Sequence, residues 1–253
     1  MSSEHPLITV TRREGFAIVT LNRPERRNAL VPELLSEFER VMKDLNDDPD
    51  VVVIILTGAG NDFCVGLDVA VLQERGPEPF MRFKTADTIS QWKGPVIAAI
   101  NGLAVTGGFE ITLACDIILA SEDAVFIDTH SRVGLLPGMG LGVRLSQAVG
   151  IYRAKEIELT SRRLPAAEAA EWGMVNRVVP SERLLDVAEE IARAIVAGAP
   201  GLPPALKAII DQCNNLPMGE GLKLAGVISR EQAGHLENAL HFGHMGKGSA
   251  ETD

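Results

Sequence analysis

The stretch from 126 to 140, FIDTHSRVGLLPGMG, sets Asp128 and His130 just ahead of a turn rich in glycine and proline. His130 is the only histidine away from the chain ends. Imidazole titrates near neutral pH, so the residue reads either as a proton carrier or as an ordinary loop residue beside a turn. If 126–130 is extended, Asp128 and His130 project to the same side, and the carboxylate can orient the ring. Glu110 is the second group of interest. It stands among Phe109, Ile111, Leu113 and Ala114, on a helix expected to be largely buried. A carboxylate there is costly to desolvate unless it is paired or put to use. The plainer alternative is a first-turn glutamate that complements the helix dipole.

Two glycine-containing corners accompany these groups. TGAGNDFCVGLD, 57–68, directly follows an apolar β-branched run, and TGGFE, 106–110, directly precedes a helical one. A Gly-rich turn leading into a helix leaves backbone N–H groups without intrahelical partners, where the dipole favours negative charge. One corner could hold a phosphate. Two could jointly aim donors at one oxygen, as an oxyanion hole does. The plain reading of either corner alone is turn geometry. Neither matches the dinucleotide fingerprint or the P-loop lysine pattern. Without a G-x-G-x-x-G turn, a nicotinamide oxidoreductase is a poor fit.

The elements that must position these groups alternate. Strands are expected at Leu7–Thr11 and Phe16–Leu21 around the turn-like RREG. Leu34, Leu35, Phe38, Val41, Met42 and Leu45 then recur at helical spacing, with Pro32 in the first turn and Asp48-Pro49 ending the helix. VVVIIL (51–56), PVIAAI (95–100) and CDIILA (115–120) read as buried strands of a parallel sheet. Helices are expected at 141–149 and 153–159, and a further one over PAAEAAEWG between Pro165 and Gly173. MVNRVV reads as a strand, and SERLLDVAEEIARAIVAG as an amphipathic helix capped by Ser181. From about 200 the pattern is helical only, ending in a frayed tail, GKGSAETD. The reading is therefore an α/β core over 1–197 followed by an all-helical region over 198–253. Terminal helices with apolar faces must fold back on their own core or pack on another subunit.

Composition excludes several classes of function. With 46% hydrophobic and 23% charged residues, the 253-residue chain is that of a globular protein. Its formal charge of −10 argues against general nucleic-acid binding. A local basic cluster, Arg23, Arg26 and Arg27, leaves room for an anionic small ligand or is simply a solvated face. No apolar run approaches the ~18 residues of a membrane span, and MSSEHPLITV lacks a signal-peptide layout, so a cytoplasmic location is expected. Cys64, Cys115 and Cys213 are widely separated, which argues against a disulfide framework or a metal knuckle; no metal site is expected.

LNRPERRNAL, VVVIILTGAGNDFCVGLD, PVIAAINGLAVTGGFEITLACDIILA, VGLLPGMG and AAEWGMVNRVVP stand in the order and spacing of the crotonase (enoyl-CoA hydratase/isomerase) superfamily. The resemblance spans roughly residues 7–200 and joins five separate blocks. It implies an α/β fold, a spiral of ββα units with a C-terminal all-helical trimerisation region, and a homotrimer or dimer of trimers. The implied ligand is an acyl-CoA, with no separate cofactor because coenzyme A is part of the substrate, and with no nucleic-acid or membrane partner. The implied oxyanion hole is the N–H of Leu67, after Gly66, and of Gly107, before Gly108. Arg26 falls where the family approaches the nucleotide of the coenzyme, and Gly66 to Asp68 would lie along it. Val69, Leu72, Phe80, Met81 and Phe83 fall in the segment that shapes the acyl pocket, with core packing as an equal alternative.

Glu110 falls on one of the two glutamates of true hydratases, the base that activates water against the β-carbon. The other glutamate, in a segment usually reading F-G-x-P-E, is His130 here, with Ile127 and Thr129 replacing the glycine and proline. An imidazolium there would deliver the α-proton. Alternatively Glu110 works alone with His130 shaping the pocket, or the reaction is another of the superfamily (isomerisation, decarboxylation, dehalogenation), or the protein binds acyl-CoA without turnover. Addition of water to a 2-enoyl-CoA is the leading expectation.

Overall fold

The structure, a computed structural model, describes residues 5–245, with side-chain environments to residue 233. The tail expected to fray, 246–253, lies outside the described residues. Two compact units divide the chain, Met1–Pro203 and Pro204–Asp253.

The first unit is built on a six-stranded sheet. Its members are β1 (Ile8–Arg13), β2 (Phe16–Leu21), β3 (Val53–Gly58), β4 (Val96–Ile100), β6 (Ile117–Ser121) and β9 (Arg177–Val179), in that spatial order. β1 and β2 form an antiparallel hairpin, and the remaining pairings are parallel. Strand β1 runs through Arg12 and Arg13, so the turn expected at RREG tightens to Glu14-Gly15. Both faces of β2, β3 and β4 are covered, so with a period of two nearly every position is apolar, Thr20 and Thr57 excepted. Phe16, Ile18, Val53, Ile55, Ile97 and Ala99 face one way, against Leu184, Ala188 and Ala192 of the helix Leu184–Val196. Ala17, Val19, Leu21, Ile54, Leu56, Val96 and Ala98 face the larger core with Leu34, Leu35, Phe38 and Met42 of the helix Pro32–Asn46. That helix has Pro32 at its start, as the sequence pattern predicts. The helix before residue 196 is entered differently from expectation. Ser181 lies in a 3₁₀ turn and donates to Asp123 at 3.1 Å, so it is not the N-cap.

A second, three-stranded sheet positions the chemistry. It comprises β5 (Leu103–Val105), β7 (Val125–Ile127) and β8 (Arg163–Pro165), in the order β5-β7-β8. β5 is too short to announce itself within NGLAVTGGFEITLA. It pairs in parallel with β7, Val105 opposite Ile127, while a parallel bridge joins Cys64 to Ala104. Three chain segments therefore run side by side in one direction. They deliver Gly66–Asp68, Thr106–Glu110 and Asp128–His130 at the same end, and carboxyl ends of parallel strands are where α/β proteins hold ligands.

The second unit contributes most of the helix Leu202–Asn214 and the helix Met218–Met245, as the helix-only pattern predicts. Leu206, Ile210, Met218 and Leu222 are exposed. Among the described residues no helix is long and apolar enough to cross a membrane.

Candidate active site

Glu110 sits in the first turn of the helix Gly107–Leu113 and is 2% exposed. The helix can approach the sheet so closely because Gly108 lacks a side chain. A Cβ there would stand 2.2 Å from the Cys64 carbonyl oxygen. Glu110 Oε1 accepts a 2.7 Å hydrogen bond from the Met139 N–H, in the LLPGMG turn. Its Oε2 lies 3.9 Å from His130 Nε2. That is beyond hydrogen-bond reach, so the carboxylate and the ring face each other without bonding.

His130 opens the short helix His130–Val133 and is buried, as is Asp128. The segment 126–130 is not extended throughout; Thr129 turns it with φ −110° and ψ 7°. Asp128 still reaches the ring, by a local turn rather than by strand alternation. Its Oδ1 accepts both from the His130 backbone N–H, at 3.0 Å, and from ring Nδ1, at 2.6 Å. Binding Nδ1–H to a carboxylate leaves Nε2 as the atom facing Glu110.

Both charges shift as this geometry dictates. Burial, above all, pushes the Glu110 carboxyl up. The Met139 and Leu141 N–H groups and the nearby His130 oppose that, and the Asp128 charge adds to it. For His130, burial alone favours the neutral ring. The hydrogen bond and charge of Asp128, with Glu110 and Glu158, outweigh it and raise the pKa. Glu158, itself raised mainly by burial, is a neighbour that no sequence motif marks. The Met139 N–H is another such partner, hinted at only by the glycines and proline of its turn.

The two glycine corners meet beside this group. Gly66 has φ +85°, and a Cβ on it would lie 2.9 Å from Val105 O and 3.5 Å from Gly107 N. Gly66 O accepts from Leu30 N–H at 2.8 Å, and Thr106 O accepts from Glu110 N–H at 2.9 Å. In a trans peptide the next N–H points opposite to the carbonyl, so both bonds turn the Leu67 and Gly107 N–H groups away from the Leu30 and Glu110 donors. Among the described residues, neither N–H donates to a backbone acceptor. Thr106 sets the second peptide with φ +50° and ψ −104°. For a residue other than glycine this costs about 1–3 kcal/mol.

The basic loop is partly committed to internal pairs. Arg23 binds Asp68 at 2.8 Å, and Arg27 binds Asp62 at 2.6 Å. Asp68 is buried and also caps the helix Val69–Arg75 through the Ala70 and Val71 N–H groups. Its side chain is thus fully engaged within the protein, whereas Arg26, 52% exposed, stands 3.4 Å from it. An open cleft of about 370 Å³ runs past Arg26, Arg27, Val65, Leu67, Asp68 and Val69. Of the five candidate pocket residues, Phe80 is buried in the core, Leu72 and Phe83 pack against it, and Val69 and Met81 are exposed.

This fold and arrangement define a class. The enoyl-CoA hydratase/isomerase family model matches residues 11–225, and the chain belongs to that family. A probable peroxisomal enoyl-CoA hydratase 1 of Arabidopsis thaliana is 38% identical over 221 residues, covering 86% of this chain and 83% of the relative. The short-chain-enoyl-CoA hydratase of Clostridium acetobutylicum is 38% identical over 198 residues, covering 76% of each. The crystal structure of an enoyl-CoA hydratase from Bacillus anthracis superposes with a TM-score of 0.84 at 32% identity, covering 95% of this chain and 97% of that one.

Proposed function

We propose that the protein adds water across the double bond of a 2-enoyl-CoA thioester of short chain. The observation that carries this reading is the buried, unbonded pair of Glu110 and His130, 3.9 Å apart, with Asp128 holding the ring at Nδ1. The names carried by the relatives support the same reaction. In the proposed reaction the thioester oxygen accepts from the N–H groups of Leu67 and Gly107. Glu110 takes a proton from water as its oxygen bonds the β-carbon. The π electrons move onto the thioester, and the enolate charge falls on the oxygen between the two donors. His130, as imidazolium, gives its Nε2 proton to the α-carbon. One water is consumed, and proton exchange with solvent resets the pair. Arg26 and the cleft beside Leu67 would take the phosphates and nucleotide of the coenzyme, with Gly66 and Gly108 allowing the close approach of backbone that the site requires. Asp68, by holding Arg23 and capping its helix, would fix the 66–68 backbone along the coenzyme. We further propose that the first unit forms the family's spiral of ββα repeats, and that the exposed apolar side chains of the C-terminal helices pack in a homotrimer or a dimer of trimers.

The test is incubation with crotonyl-CoA. Loss of the conjugated thioester absorbance, with a product heavier by one water, is expected. Tight binding of acyl-CoA without turnover of any enoyl-CoA would overturn the reading in favour of a binding protein.

A further inference from the structure

Thr106 and Thr129 meet where the two functional segments touch, and their contacts are unlike ordinary surface hydroxyl pairs. Thr106 sits at φ +50°, in the half of backbone space that favours glycine, one residue before Gly107. The end of β7 and the residues just after it hold it there at three points. Thr106 N–H donates to Ile127 O at 2.8 Å. The Thr129 N–H donates to Thr106 Oγ1 at 3.2 Å, and the two hydroxyl oxygens lie 2.5 Å apart. Thr106 O, in turn, takes the Glu110 N–H at 2.9 Å. The peptide that carries the Gly107 N–H is therefore fixed through its φ and ψ on one side and its carbonyl on the other. Rotating Thr106 back to negative φ would swing that N–H and break the hydroxyl contact together.

From this we infer that Thr129 is a positioning residue: its hydroxyl holds Thr106 at positive φ and so aims the Gly107 N–H at the thioester oxygen. The inference rests on the reading of Gly107 as a donor to that oxygen. It also explains why a polar residue can stand beside His130, since one short segment, 127–130, orients both the donor peptide and the ring. Because the donor matters more to the charged enolate than to the ground-state thioester, loss of aim should lower kcat and leave KM nearly alone.

The experiment compares wild type, Thr129→Val, Thr129→Ser and the double variant Thr106→Gly/Thr129→Val. Two readouts are used: turnover of crotonyl-CoA, and the red shift of bound cinnamoyl-CoA, whose absorbance follows polarisation of its carbonyl. For Thr129→Val, which keeps the shape and deletes the hydroxyl, kcat should fall about tenfold, less than loss of a whole donor costs, with a smaller red shift and similar KM. Thr129→Ser should retain most of both signals. The double variant should recover much of what valine lost, because glycine adopts positive φ without the steric penalty that the clamp offsets in Thr106. Wild-type kcat and red shift in Thr129→Val would overturn the inference, as would a double variant no better than valine alone. If wild type shifts the chromophore but hydrates nothing, the proposed reaction fails, and the shifts across the four proteins still decide the role of Thr129.

Discussion

Gly66→Ala probes the other donor peptide, that of Leu67, and its effect can be worked from the coordinates. The new Cβ would lie 2.9 Å from Val105 O, 3.4 Å from Thr106 Cβ and 3.5 Å from Gly107 N. Val105 cannot readily give way, because its own N–H bonds Cys64 O at 2.9 Å and it pairs with Ile127 in β5–β7. The φ of +85° adds about 1–2 kcal/mol for a residue with a side chain, and the contact adds about 1–3 kcal/mol of overpacking. A sum of roughly 2–5 kcal/mol lowers Tm by about 4–20 °C in a domain of this size. Relief of the contact pushes the 66–67 peptide away from Gly107, so the two donors no longer converge. Loss of one such donor costs about 10²–10³ in kcat, and KM should change much less. Steady-state kinetics on crotonyl-CoA and thermal unfolding read the two effects separately. A variant with the expected drop in Tm and wild-type kcat would refute the assignment of the Leu67 N–H, whereas an unchanged Tm would refute the steric argument itself.

The pH profile should be bell-shaped. Glu110 acts as carboxylate and is raised above its ordinary 4.5, so kcat falls as pH drops through that raised value. His130 acts as imidazolium and is raised above its ordinary 6.5, so kcat falls as pH rises through its value. Both limbs belong to the coupled pair. Asp128→Asn removes the chief cause of the His130 rise, so the basic limb should move to lower pH; an unmoved limb would show that His130 does not set it. Cys64, fully buried with its thiol pushed up to about 12, should resist iodoacetamide at pH 8 until the protein is unfolded, as thiol counting by mass would show. Phe38→Ala, emptying a 1%-exposed site beneath the sheet, should cost about 3–5 kcal/mol in denaturant unfolding and leave the pH profile in place.

How much of this was legible in the sequence depended on scale. Strands such as VVVIIL and PVIAAI declare themselves because both faces are apolar, and the helix from Pro32 does so by its period. Glu110 stood out as a charge in an apolar helix, and His130 by its displacement of an expected glutamate. What stayed hidden depended on backbone direction. β5 is three residues long, and only its pairing reveals it. The positive φ of Thr106 is invisible in a residue type that seldom adopts it. The internal partners of Asp68, two helix N–H groups and Arg23, which lies 45 residues away in sequence, were hidden as well. Asp128 was read correctly as the neighbour of the ring but for a different geometric reason, a turn in place of an extended strand.

The central claim is that the Glu110 carboxylate activates the water. Glu110→Gln keeps the side chain's length and can still accept from Met139 N–H, so the protein should fold and bind crotonyl-CoA as wild type does. The decisive measurement is turnover by this variant at saturating crotonyl-CoA, with binding determined independently. The account predicts a loss of about 10³-fold or more, the scale of a general base in the transition state. Turnover within a few fold of wild type would contradict it.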